Sequence, residues 1–263
     1  MMEVNVVRAD VSTGRVQKLK DCVAEEKSLS IFLNRTHFAT ILCSPTDLKE
    51  LAVGYVLSEG IVKSVGEIKR VSVREDKEKG TCRIMLEKNV QLERRLSFSK
   101  HRRRLVLSTR GGTEPSRRSI GYIATESPVK IKSATIAECV GHLNTMAEIY
   151  RKTGGTHAAA IFKHDGVLRA FAEDVSRHNA IDKVIGIASM KHYRFEECFL
   201  ASTGRLTREA VSKAVRVRLP VIASLAAAMS SGVSAAVNAN LTLIGFVRGK
   251  RMNIYSFPDR ILS

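Results

Sequence analysis

Residues 198–247 read CFLASTGRLTREAVSKAVRVRLPVIASLAAAMSSGVSAAVNANLTLIGFV. Short apolar runs at 198–201, 221–224 and 241–247 have strand length, and the stretches between them, 207–217 and about 226–238, have helical composition. Strands alternating with helices in this way build an α/β sheet covered by helices on both faces. Toward the N-terminus the pattern continues. Residues 158–162 and 167–172 read as strands joined by a turn at His164-Asp165-Gly166, and a helix follows over 179–190. Ile136, Val140, Leu143, Ala147 and Tyr150 mark an earlier helix, and 253–255 reads as a last strand.

The first 90 residues have a different texture. Apolar runs at 4–7, 28–33, 39–43, 71–73 and 82–86 read as strands separated by polar stretches. One helix interrupts them: Ser44-Pro45-Thr46-Asp47 supplies an N-cap serine, a proline at the first helical position and an acid at the third. Leu48, Leu51, Ala52, Tyr55 and Val56 then repeat on one face as far as Gly60. Between 94 and 118 nine cations (Arg94, Arg95, Lys100, Arg102, Arg103, Arg104, Arg110, Arg117, Arg118) face one acid, Glu114. That stretch reads as a basic junction, either a solvated linker or an arm that closes over an anion. The expected organisation is a strand-rich N-terminal domain over 1–120, carrying the helix and the junction, and an α/β domain over 121–263.

The 263 residues can form one large or two small domains, and 44% hydrophobic with 26% charged residues is the composition of a folded protein. Lysine and arginine total 43 against 26 acids, a net charge of +17, which favours anionic partners. Tryptophan is absent and aromatics are 5%, thin for base stacking. The five cysteines, Cys22, Cys43, Cys82, Cys139 and Cys198, are scattered singly, which argues against a disulfide scaffold or a zinc knuckle. The first residues resemble no secretion signal, and no apolar run approaches the roughly 18 residues of a membrane helix. The expected location is the cytoplasm, without membrane attachment.

Four polar clusters fall at predicted strand ends, where open α/β sheets bind ligands. In Thr153-Gly154-Gly155-Thr156-His157 the glycines permit close backbone approach and His157 could exchange a proton; a turn followed by a core histidine explains it equally. In Glu173-Asp174-Val175-Ser176-Arg177-His178-Asn179, Ser176 or Asn179 could cap a helix and leave Arg177 and His178 at an N-terminus suited to phosphate. Ser202-Thr203-Gly204-Arg205 places hydroxyls, glycine and arginine as phosphate sites often do. Phe246, Val247, Arg248, Gly249, Lys250 and Arg251 put three cations in a hairpin turn, which solvent alone would also explain.

The order and wording of these clusters resemble the formate dehydrogenase accessory protein family, FdhD, over nearly the whole chain. The resemblance rests on Ser44-Pro45-Thr46-Asp47-Leu48-Lys49-Glu50-Leu51-Ala52-Val53-Gly54-Tyr55, on Thr153-Gly154-Gly155-Thr156-His157-Ala158-Ala159-Ala160, on residues 173–183 and on residues 241–249. It implies a sulfur carrier, a sulfurtransferase that takes sulfur from a cysteine desulfurase. The sulfur goes to the molybdenum bis(molybdopterin guanine dinucleotide) cofactor that formate dehydrogenase requires. It also implies a C-terminal domain of cytidine-deaminase-like three-layer fold beside the smaller strand-rich domain, and a homodimer. The cofactor would be held by Thr156, His157, Arg177, His178, Arg205 and residues 246–251.

The family's Cys-Gly-x-Cys loop aligns with Arg110-Gly111-Gly112-Thr113, so Arg110 and Thr113 stand where the thiols would be, and no catalytic residue is assigned. The other five cysteines are expected to be buried and inert. The family's Ser-x-Ala-Pro-Thr stretch is altered to Ser224-Leu225-Ala226-Ala227-Ala228-Met229, which changes one wall of the pocket. Zinc deamination needs His-x-Glu and Pro-Cys-x-x-Cys, whereas the chain has His157-Ala158-Ala159 and no Cys-x-x-Cys, so no metal site is expected. The rival reading of the charge is a basic nucleic-acid-binding protein, although no motif for that role is present.

Overall fold

A computed structural model describes residues 1–76, 78–93, 95 and 127–263, together with the backbone of 104–106. Strands β1 (Met2–Ala9) and β2 (Val16–Val23) form an antiparallel ribbon. β3 (Lys27–Leu33), β4 (Thr36–Cys43), β5 (Ile68–Glu75), β6 (Lys79–Leu86) and β7 (Arg104–Val106) form a five-stranded sheet in the order β5-β6-β3-β4-β7. A six-stranded sheet combines β9 (His157–Lys163), β10 (Leu168–Asp174), β11 (Cys198–Ser202), β12 (Val221–Ser224), β13 (Thr242–Arg248) and β14 (Arg251–Ser256), in the order β10-β9-β11-β12-β13-β14. Two-residue strands β8 (Ile131–Lys132) and β15 (Ile261–Leu262) pair in parallel. The helices are α1 (Leu48–Ser58), α2 (Ser133–Met146), α3 (Glu148–Thr153), α4 (Arg177–Met190), α5 (Arg208–Arg216) and α6 (Ser230–Asn238).

The central strands of the larger sheet are buried on both faces, which is why they read as continuous apolar runs. Leu200, Ile222 and Leu243 point to one face, against Ile181, Val184 and Ile185 of α4, Val211 and Ala214 of α5 and Ala235 of α6. Phe199, Ala201, Val221, Ala223 and Ile244 point to the other, against Ile136, Cys139, Val140 and Leu143 of α2. Period two along each strand thus generates three layers: helix, mixed sheet, helices. The fold is the mixed α/β architecture that residues 198–247 suggested. Among the described residues no helix is long and apolar enough to cross a membrane.

Helix α1 is buried on every side from Leu51 to Ser58, because it lies between the smaller sheet and α4. Two glycines set that crossing. A Cβ on Gly54 would stand 1.7 Å from the Asp182 carbonyl oxygen, and one on Gly186 would stand 1.9 Å from the Glu50 carbonyl oxygen. The two backbones approach too closely for any side chain at either point.

Several elements differ from the sequence reading. α1 begins at Leu48, after Asp47 in a left-handed conformation (φ 50°), and Ser44 does not cap it. Ser44 Oγ instead accepts from Val175 N (3.1 Å), while Ser44 N donates to Asp174 Oδ2 (3.0 Å), tying the loop to the end of β10. The helix expected over 136–150 breaks at Ala147 (ψ 85°), giving α2 and α3. The helix expected from 226 starts at Ser230. Leu225 N donates to Ser202 O (3.2 Å), and Phe246 N to Ala226 O (3.0 Å), which holds that segment extended against its neighbours.

Candidate functional site

β11, β12 and β13 are mutually parallel, and β10 points the same way. Their C-terminal ends therefore meet the N-terminal end of β9 along one edge of the sheet, where open α/β sheets hold ligands. A cleft of about 380 Å³ lies there, walled by Asn144, Ala147 and Tyr150 from the α2–α3 break, by Gly154, Gly155, Thr156 and His157, and by Val175, Thr203, Leu225, Ala226 and Arg248. That volume is within the range of small-molecule sites.

Hydroxyls brace the strand ends. Ser224 Oγ lies 2.9 Å from Ser202 O and 2.7 Å from Gly204 O, so that its one proton is shared between the two carbonyls, and Ser202 Oγ accepts from Gly204 N (3.0 Å). Thr203 Oγ1 accepts from Ala158 N (3.0 Å) and lies 3.3 Å from His157 Nδ1, fixing the ring at the start of β9. Glu173 is buried at the end of β10 and accepts from Ile149 N (2.9 Å), Tyr150 N (2.8 Å) and Thr156 Oγ1 (2.9 Å). It thereby caps α3, and it engages the Thr156 hydroxyl, leaving mainly backbone for a ligand there.

Arg177 and His178 occupy the first turn of α4, whose cap, Ser176, makes no side-chain capping bond. The Arg177 side chain lies across the turn after β11: a Cβ on Gly204 would sit 2.7 Å from Arg177 Cβ, so glycine is required for the arginine to pack there. Arg177 Nε is buried without a hydrogen-bond partner, and burial followed by the nearby Arg205 holds its pKa below the usual guanidinium range. Burial, then Arg177 and Arg205, pushes the His157 pKa down as well. Among the described residues neither arginine forms an ion pair. Two arginines and a histidine whose neutral form burial favours thus crowd one helix N-terminus, itself electropositive; the acids that bear on them are Glu209 for Arg177 and the buried Asp174 for His157.

His178 is placed differently. Both ring nitrogens are buried without partners, and burial, then Lys213 and Arg177, pushes its pKa down to about 3. It borders a buried network in which Lys213 Nζ donates to both Asp182 oxygens (2.9 Å each) and Ser58 Oγ donates to Asp182 Oδ1 (2.5 Å). The carboxylates of Asp182 and Glu59 keep Lys213 charged.

Of residues 246–251, Val247 is buried in the core, Phe246 is half-buried, and Arg248, Gly249, Lys250 and Arg251 are exposed around the β13–β14 turn. Phe246 sits in a left-handed conformation (φ 51°) at a register shift between β13 and β14. Such a bulge re-aims the strand end, and it carries Arg248 over the Phe246 ring (5.6 Å) with its Nε donating to Leu225 O (3.2 Å). Arg110 and Thr113 lie outside the described residues, as does most of the basic junction.

Four of the five cysteines are buried as expected, and Cys22 is not. Burial pushes the Cys43 and Cys82 thiols up to about 12 and those of Cys139 and Cys198 up to about 11. Cys22, on the β1–β2 ribbon, is only half-buried, because a two-stranded ribbon covers one face at most. Iodoacetamide should therefore alkylate Cys22 first in the native protein and leave the other four unmodified until denaturant is added. Peptide mass mapping of partially labelled protein checks this.

Fold and edge together define a mixed α/β protein with a cleft at the carboxyl ends of its sheet, walled on one side by Arg248 and lying near Arg177 and Arg205 through His157. The chain belongs to the FdhD/NarQ family, whose profile matches residues 24–262. It is 36% identical over 262 residues to the sulfur carrier protein FdhD of Methanothermobacter thermautotrophicus, covering 99% of this chain and 98% of that one. It is 34% identical over 253 residues to the sulfur carrier protein FdhD of Staphylococcus aureus, covering 95% and 92%. The fold matches the crystal structure of a Desulfotalea psychrophila protein, proposed as a formate dehydrogenase accessory protein, with a TM-score of 0.79. Sequence identity there is 23%, over 99% of both chains.

Proposed function

We propose that this chain is a cytoplasmic, homodimeric accessory protein for formate dehydrogenase. Its cargo is the guanine-dinucleotide molybdenum cofactor, held at the carboxyl edge of the larger sheet. The reading rests on the gathering of Arg177, Arg205 and His157 at the N-terminus of α4, with neither arginine in an ion pair among the described residues, beside a cleft walled by Arg248. The buried Nε of Arg177 lacks a partner, which a phosphate oxygen of the cargo would supply. The backbone at Gly154 and Gly155 would admit a flat base into the cleft, and Arg248 would face the dinucleotide's second phosphate. Sulfur from a cysteine desulfurase is the family's freight. Here the positions of the family's thiol pair match Arg110 and Thr113, so any sulfur this chain bears must reside on another residue.

GDP, half of the cargo's nucleotide end, provides the test. Arg248→Ala should weaken GDP binding at least tenfold while moving the melting temperature little, since an exposed turn cation contributes about 0–1 kcal/mol to stability. A collapse of the melting temperature with affinity retained would make Arg248 structural. An anion bound beside His157 stabilises the imidazolium and raises its depressed pKa, so binding takes up a proton. Affinity should therefore rise as the pH falls from 8 to 6. The calorimetric enthalpy should also depend on the buffer's ionisation heat.

A further inference from the structure

The smaller sheet buries one face on α1 and turns the other outward, and that outer face has an unusual composition. Its side chains stand in register across four strands. Ser72, Arg83, Phe32 and His37 form one row; Arg74, Thr81, Ser30 and Thr40 form the next; and Arg70 lies opposite Met85. Arg83 lies over the Phe32 ring (5.5 Å), His37 meets the same ring edge-on (5.3 Å), and the Thr40 hydroxyl joins His37 Nε2 (2.9 Å) to Ser30 (3.3 Å). Arg70, Arg74 and Arg83 are exposed, Met85 is 48% exposed, and none of these ten residues is acidic.

We infer that this face is a docking surface for an acidic protein partner. A sheet face meant only for water intersperses both signs of charge, because like charges on neighbouring strands repel. Here Arg70 and Arg74 both sit diagonal to Arg83, and among the described residues none of the three forms an ion pair. The counter-charge must come from outside, since the chain's own 94–118 stretch is equally cationic. Arginine, methionine and an aromatic, with no acid among the ten residues and one lysine, Lys79, at the margin beside Ser28, is also close to the composition of interface centres. The other occupants fit less well. Phe32 is the face's one large aromatic ring and is already covered by Arg83, which leaves no platform for successive bases. A second copy joined by a twofold axis would bring three more arginines onto these three. The inference does not rest on nucleotide binding at the other sheet.

The probe is a fluorescein-labelled 14-residue peptide of glutamates around two central leucines, followed by anisotropy at 0.15 M salt. The combined Arg70→Glu, Arg74→Glu and Arg83→Glu variant should bind it at least tenfold more weakly than wild type. An equal charge reversal elsewhere, Arg15→Glu with Lys18→Glu and Lys191→Glu, should weaken it less than twofold. Met85→Ala, which changes no charge, should cost several-fold, and it serves with Arg83→Glu alone should the triple variant fail to fold. Four results would overturn the inference. These are no binding by wild type up to millimolar peptide, equal loss in both triple variants, tighter binding of a 14-nucleotide single-stranded RNA that the same face variant abolishes, and a wild-type dimer that this variant converts to monomer. GDP affinity should be unchanged in the face variant, which separates this result from the fate of the nucleotide reading.

Discussion

Alanine at Gly54 should leave almost no folded protein at growth temperature. Its Cβ would lie 1.7 Å from the Asp182 carbonyl oxygen and 2.8 Å from Gly186 N, both backbone atoms of a helix packed on two other layers. Relief requires α1 and α4 to move apart by more than an ångström along their whole contact, which opens space around Leu51, Tyr55, Ile181 and Ile185. Overpacking costs about 1–3 kcal/mol where side chains can give way, and a clash with main chain belongs to the rarer class above about 4 kcal/mol. The check is a urea unfolding curve of the soluble fraction. A midpoint near that of wild type would mean that the helices do not approach this closely.

The second large effect is expected at the buried pair Asp174–Lys183, 2.8 Å apart with both side chains at 0% exposure. Asp174 also accepts from Ser44 N, Ser176 N and Asn179 Nδ2, so one carboxylate joins the α1 loop, the end of β10 and the start of α4. Asp174→Ala leaves the Lys183 ammonium without its carboxylate and strips three donors of their acceptor. Loss of one partner of such a pair costs about 3–5 kcal/mol. The double variant Asp174→Leu with Lys183→Met removes both charges and should recover part of that loss. Unfolding midpoints of the two singles and the double test it; additive losses would show that the charges are not coupled.

That pair also shows where sequence reading stops. Residues 173–183 read as one polar cluster, and the structure divides its roles by direction. Glu173 caps α3, Asp174 and Lys183 seal the layers, Asp182 pairs with Lys213 in the core, and Arg177 turns to the edge. Periodicity on α4 could not separate them, because a helix buried on nearly all sides presents polar groups inward as well as outward. Alternation did locate the larger sheet, since apolar runs buried on both faces leave an unambiguous signal. It missed β2, whose residues Val16–Val23 are half polar and mostly exposed, as suits a two-stranded ribbon. The cleft wall at Asn144, Ala147 and Tyr150 was hidden by a helical pattern that runs straight through the break. The left-handed Phe246 had no glycine to announce it.

A guanine nucleotide is expected to bind through its phosphates at the cationic edge of α4. Titration calorimetry of GDP against GMP at two salt concentrations, with wild type and with the Arg177→Ala and Arg205→Ala variants, tests it most directly. GDP should bind more tightly than GMP, each variant should lose at least tenfold for GDP and less for GMP, and added salt should weaken GDP far less than it weakens single-stranded RNA. Equal binding of the two nucleotides unaffected by either substitution, or no binding of GDP at all, would contradict the claim.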